Sequence, residues 1–108
     1  MENLEIIEKI SGYCTEIVKN DSEMLKWRFG VTNEELPHIA NIAKSIVLHK
    51  NDIMTGGGFV QSVCSDSLIE SSQRADSTMQ KVLSYVATFS YRAKEIKDKF
   101  NPLFSSNL

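Results

Sequence analysis

Apolar residues recur along this chain at spacings of three and four, and the breaks between the runs fall at Asn, Asp, Ser, Gly and Pro. Leu4, Ile7, Ile10, Cys14 and Ile17 form one stripe, which predicts an amphipathic helix from Glu2 to Asn20. Its early glutamates and late Lys19 suit the helix dipole. Asn20-Asp21-Ser22 supplies a stop and the next N-cap. The stretch SEMLKWRFGV then admits two readings. Leu25, Trp27, Phe29 and Val31 alternate with Lys26, Arg28 and Gly30, which is a strand period. No second strand is in sight to pair with it, so a strand here would have to pair with another protomer. A short helix capped by Asp21 or Ser22 and ended by Gly30 needs no such partner.

A third segment runs from about Asn33 to Met54. Thr32 and Glu35 have capping-box spacing, and Pro37 places the regular helix start close to itself. Leu36, Ile39, Ala43, Ile46, Lys50 and Ile53 define its inner line, with Lys50 long enough to snorkel. After Gly56-Gly57-Gly58, two short helices are expected over Phe59–Ser65 and Ser67–Ala75, the second with Ser67 and Glu70 as a capping box. Asp76 caps the last helix. There Met79, Val82, Val86, Phe89, Ala93, Ile96 and Phe100 follow at spacings of three, four, three, four, three and four, a heptad seam. Lys94 with Asp98 and Glu95 with Lys99 are i,i+4 pairs on its outer face. Asn101-Pro102 ends it. The whole predicts an all-α fold, a small bundle of about five helices with a long C-terminal helix, in a single domain over residues 1–108 with a tail at 101–108.

The last helix, at about 36 Å, exceeds the radius of gyration of roughly 13 Å expected for such a chain. If it projects, Phe89, Ala93, Ile96 and Phe100 are left wet, and a homo-oligomer joined there, a dimer first, would cover them. The tail PLFSSNL either folds back over that seam or docks on a partner.

Composition narrows the classes. A net charge of -2 argues against broad binding to nucleic acid or to an anionic membrane. No run approaches the roughly twenty apolar residues of a membrane span, and the acidic start MENLEIIEK does not read as a signal peptide. The expected location is the cytoplasm. Cys14 and Cys64 sit on apolar stripes and read as two buried thiols, a disulfide being the alternative.

Candidate chemistry is sparse. Gly56, Gly57, Gly58 and Phe59 can be read as an anion cradle at a helix start, but the Lys of a P-loop is absent. They can equally be a left-handed helix C-cap followed by a tight turn. Trp27 and Arg28, within Lys26–Phe29, suit stacking on a base and holding a phosphate; otherwise Trp27 and Phe29 are core. Arg74 either holds a helix junction beside Asp76 or meets an anion, and Arg92 is a further cation for such a ligand. His38 and His49 are about 16 Å apart along one helix, too far to share a metal. No catalytic constellation, metal site or cofactor motif emerges, so a non-enzyme is expected.

The stretch GGFVQSVCSDSLIESSQRADSTMQKVLSYVATFSY resembles a pattern of small tailed-phage proteins: Gly-Gly-Phe, a short apolar helix, Asn-Asp-Leu, a helix ending Arg-Ala-Asp, then a longer helix. Gly57, Gly58, Phe59, Val63, Asp66, Leu68, Arg74, Ala75 and Asp76 carry the match. The Asn-Asp-Leu is interrupted here as Ser65-Asp66-Ser67-Leu68, and the family's Tyr-Asn stands as Tyr91-Arg92. The resemblance spans residues 57–91 and implies a phage or prophage accessory protein, with no catalytic activity attached. The functional expectation is therefore a non-enzymatic phage protein that binds and inhibits a host component, with antiviral defence as the target. Two alternatives stand beside it. One is an oligomeric sponge for a nucleotide signal, held by Gly56–Gly58 with Arg74, Arg28 or Arg92. The other is a small DNA-associated regulator built on the two short helices, although SLIESSQRA carries a single basic residue.

Overall fold

The computed structural model describes residues 2–100. They form six α-helices and one 3-10 turn, with no strand among them: α1 (Glu2–Asn20), α2 (Ser22–Phe29), the turn Asn33–Glu35, α3 (Leu36–Lys50), α4 (Gly58–Cys64), α5 (Leu68–Arg74) and α6 (Ser77–Asp98). The fold is all-α, and the long last helix is there. The tail from residue 101 lies outside the described residues, and so does the expectation that it folds back.

α3 is the centre. It packs along α1 on one side and along α6 on the other, with α4 across its end. Its buried residues are accordingly two-sided. Ile39, Ala43 and Ile46 come from the inner line, and Ala40, Val47 and Leu48 add a second face. Ala40 and Ala43 are small enough for neighbouring helices to approach closely. Lys50, at the line's far end, snorkels: its Nζ donates to the Cys64 carbonyl at 3.0 Å. The helix stops four residues before Met54, because Asp52 turns left-handed at φ 60°. Asn51 holds that end in place, its Nδ2 donating to the Val47 carbonyl at 3.0 Å and to the Ala93 carbonyl on α6 at 2.9 Å.

The heptad seam of α6 is real, and its role as an oligomer interface is corrected. Phe89, Ala93 and Ile96 have no exposed surface in the single chain, nor do Val82 and Val86. α3 fills the seam from within the same molecule, so α6 does not project. Phe100 is half-buried and meets the Tyr13 ring of α1 edge-on at 6.0 Å between centroids. α6 also departs from helical angles at Val82 (φ -119°, ψ 21°), so it is two helical stretches joined at a kink. Lys99 lies 5.4 Å from the Tyr13 ring centre rather than reaching Glu95.

The stripe of α1 is rotated from the expected one. Ile6, Ile10, Cys14 and Val18 are buried at a strict spacing of four, whereas Leu4 is 61% exposed. The ambiguous SEMLKWRFGV resolves as helix. Gly30 closes α2 in the left-handed region at φ 71°, and its N–H and that of Val31 bond back to Lys26 and Leu25. Asp21 does not cap α2 with its side chain; its carboxylate accepts the Tyr85 hydroxyl from α6 at 2.7 Å.

The turn Asn33–Glu35 ties the start of α3 to the start of α6. Glu35 accepts the Thr32 N–H at 2.9 Å, completing the capping box, and also the Thr78 hydroxyl at 2.6 Å and Lys81 Nζ at 3.1 Å. The Thr78 bond first, then the Thr32 and Lys81 bonds, hold its carboxyl down at about 2. Asp76 caps α6 through the Met79 N–H at 2.8 Å and pairs with His38 Nε2 at 2.7 Å. Burial works to raise the Asp76 carboxyl, but the Met79 and His38 bonds prevail and hold it below its ordinary value.

Candidate functional site

The three glycines are neither the expected left-handed C-cap nor a free cradle. None of Gly56, Gly57 and Gly58 has positive φ; the left-handed residue before them is Asp52. They form the approach to α4, with Gly57 as its extended N-cap. Gly56 is held by His49, whose Nδ1 accepts its N–H at 3.0 Å. A side chain on Gly56 would collide with Val60, so glycine is needed there for close approach. Phe59, next in line, is half-buried against the core.

Arg74 does reach the glycines. Its Nη1 stands 2.6 Å from where a Cβ on Gly58 would lie, over the start of α4. It does not pair with Asp76, which is engaged by His38 and Met79. Gly58, Gln61, Ser62, Ser65, Glu70 and Arg74 line a polar cleft of about 280 Å³. Its side-chain donors other than Arg74 are each engaged with backbone carbonyls. Gln61 Nε2 donates to the Gly56 carbonyl, Ser62 Oγ to Gly58 and Ser65 Oγ to Ser62. One cation beside one carboxylate is a weak attractor for an anion. α4, at seven residues, adds little dipole to it.

The other expected members of that site lie elsewhere. Arg92 is half-buried on α6 with its guanidinium 5.9 Å from the Phe89 ring, near enough to Cys14 of α1 to moderate its thiol. Arg28 lies 5.9 Å over the Phe29 ring on α2. No contact joins Arg28, Arg92 or Trp27 to Gly56–Gly58. Trp27 is not core either. It is 91% exposed, while Phe29 is half-buried. The structure therefore brings together Gly58 and Arg74 from the expected ligand set and disperses Trp27, Arg28 and Arg92.

The cysteines are free, Cys14 buried and Cys64 half-buried. Burial pushes the Cys14 thiol up to about 12, with Arg92 and Lys44 opposing weakly, so it is no nucleophile at neutral pH. Tyr85, half-buried and donating to Asp21, is also held well above the usual phenol value.

Two surfaces were not visible in the sequence. The first surrounds α5. Leu68 and Ile69 are 72% and 73% exposed while Ser71 on the same helix is buried. Leu68 borders an open apolar groove of about 350 Å³ between α5 and α6, walled by Val63, Leu83, Ala87 and the exposed Tyr91. Asp66 is the one charged residue of its lining, with Oδ1 3.4 Å from the Tyr91 hydroxyl. An aliphatic outer face with Glu70 beside it suits α5 poorly to a DNA groove. The second is a cleft of about 510 Å³ where α1, α2 and α3 meet. The signal available for α5 was negative: neither Leu68 nor Ile69 has an apolar residue three or four positions on. No helix among the described residues is long and apolar enough to cross a membrane. Comparison with protein-family models, with curated proteins and with solved structures finds no match for this chain.

Proposed function

We propose that this is a non-enzymatic binding protein, a phage accessory protein that inhibits a component of host antiviral defence by docking on it through the face made by α5 and α6. The inverted exposure of α5 carries this reading. A short helix that buries Ser71 and leaves Leu68 and Ile69 in water keeps apolar surface that a docked partner would bury. The partner that fits is a helix with two or three large apolar residues for the groove and a Lys or Arg to reach Asp66. Charge depletion around an aromatic, here Tyr91, is also the composition of interface centres.

The test is phage plating on bacteria that carry a restricting defence system, with and without this protein. The wild-type chain is expected to restore plaques. The double variant L68E/I69E, on an already exposed face, is expected to fold normally by circular dichroism and to restore none. Full restoration by the double variant would overturn the docking face. No restoration by wild type across a panel of defence systems would overturn the inhibitor reading. The nucleotide-sponge alternative keeps one observation in its favour at the glycines, the Arg74 guanidinium over Gly58.

A further inference from the structure

The cleft between α1, α2 and α3 has a chemistry unlike the rest of the surface. The chain is net negative, yet the only charged residues lining this cleft are Lys19, from the last turn of α1, and Lys26, from α2. Neither side chain forms an ion pair or hydrogen bond among the described residues. The nearest acid in sequence to the corner between them, Asp21, has its carboxylate held by Tyr85 of α6. Two cations thus share one mouth without an ion pair, and the nearest acids on their own helices, Glu16 and Glu23, stand three positions before each and do not line the cleft. The two lysines are fixed there by a tight corner, in which the Asp21 N–H bonds back to Ile17 and the Leu25 N–H to Asp21.

Val18, Leu36, Pro37 and Ala40 give the cleft its apolar lining, with the hydroxyls of Ser11, Thr15 and Ser22 among them. The Asn33 and Asn41 side chains line the opening, exposed and without hydrogen-bond partners in the described structure. Each amide offers a donor and an acceptor side by side, the complement of a heterocycle edge. Apolar lining, two amides and two lysines, in a volume within the usual range for small-molecule sites, suit a ring that carries phosphate.

We propose that this cleft binds a nucleoside phosphate, with its phosphate at Lys19 and Lys26 and its base over Val18 and Ala40, edged by Asn33 and Asn41. The cleft shares no residue with the α5–α6 groove or with the Arg74 cleft, so it does not rest on the docking reading.

The experiment is titration calorimetry with amide chemical-shift mapping, using AMP, ATP, a cyclic dinucleotide, adenosine and inorganic pyrophosphate as probes. At least one of the three nucleotides is expected to shift amides of residues 15–41 and to bind more tightly than either adenosine or pyrophosphate. K19E/K26E, at exposed Lys19 and half-buried Lys26, is expected to weaken it at least about tenfold while leaving the circular dichroism spectrum unchanged. N33A/N41A is expected to bring nucleotide affinity down towards that of pyrophosphate. L68E/I69E and R74E are expected to bind as wild type. The proposal is overturned if no nucleotide perturbs the cleft at millimolar concentration. It is also overturned if pyrophosphate binds as well as the nucleotides, or if R74E rather than K19E/K26E removes binding.

Discussion

Gly56 and Gly58 are two positions apart, and the surroundings of each predict opposite responses to the same change. A methyl on Gly56 would run into Val60, which is buried and cannot swing away. G56A is expected to cost about 1–3 kcal/mol in urea unfolding, as overpacking does. A methyl on Gly58 meets only the end of Arg74, which is exposed and free to move. G58A is expected to stay within about 0.5 kcal/mol of wild type. A large loss in G58A would mean that the Arg74 contact is structural. Glu35 makes a prediction in pH. Its carboxyl falls from an ordinary 4.5 to about 2 in the folded chain, so the folded state favours the charged form. That contribution is fully present above about pH 4.5 and is lost as pH falls through 2. E35Q should therefore show a flatter stability profile than wild type between pH 4.5 and 2, measured by urea midpoints. A parallel profile would place acid sensitivity elsewhere.

At the scale of the element, α6 carries the largest core side chain, Phe89, with Tyr85 edge-on at 5.5 Å between ring centroids. F89A is expected to cost about 3–5 kcal/mol in unfolding free energy, as a cavity within one chain does. A variant that loses oligomer mass but keeps its unfolding midpoint would restore the intermolecular seam. The helices themselves were legible where local chemistry decides them. Gly30 had to close α2, Asp76 had to open α6, and the Thr32–Glu35 box had to start the turn before α3. What periodicity cannot say is which neighbour covers a stripe. The α6 seam has the same spacing whether a partner chain or α3 fills it. The rotation of α1, from Leu4 to Ile6, follows from where α3 lies. α5 was the least legible, because Ser71 is small enough to be buried and the flanking Leu68 and Ile69 are adjacent, on no common stripe. Of the candidate ligand set, Arg74 and Gly58 do meet, through α4–α5 packing, whereas Trp27, Arg28 and Arg92 stand on other helices, a separation that no spacing in the sequence encodes.

Across the whole molecule, the two proposed binding surfaces are those left over after α3 has taken its share of the core. The α5–α6 groove and the α1–α2–α3 cleft lie in different helix junctions, with aliphatic and Asp66 character in one and lysine and amide character in the other. α3 and α6 are meanwhile pinned at both ends, by Glu35 with Thr78 and Lys81 at one and by Asn51 with Ala93 at the other. Helices fastened at two points cannot slide along each other, which leaves opening motions to what hangs outside the pins. α5, seven residues long with Ser71 its one buried side chain, is that part. Its amide protons are expected to exchange with deuterated solvent well before those of α3 and of α6 beyond Val82. Uniform exchange across all the helices would show that the pins carry no special rigidity. A partner seated on Leu68 and Ile69 would then reveal itself as slowed exchange confined to residues 68–74, with the pinned pair unchanged.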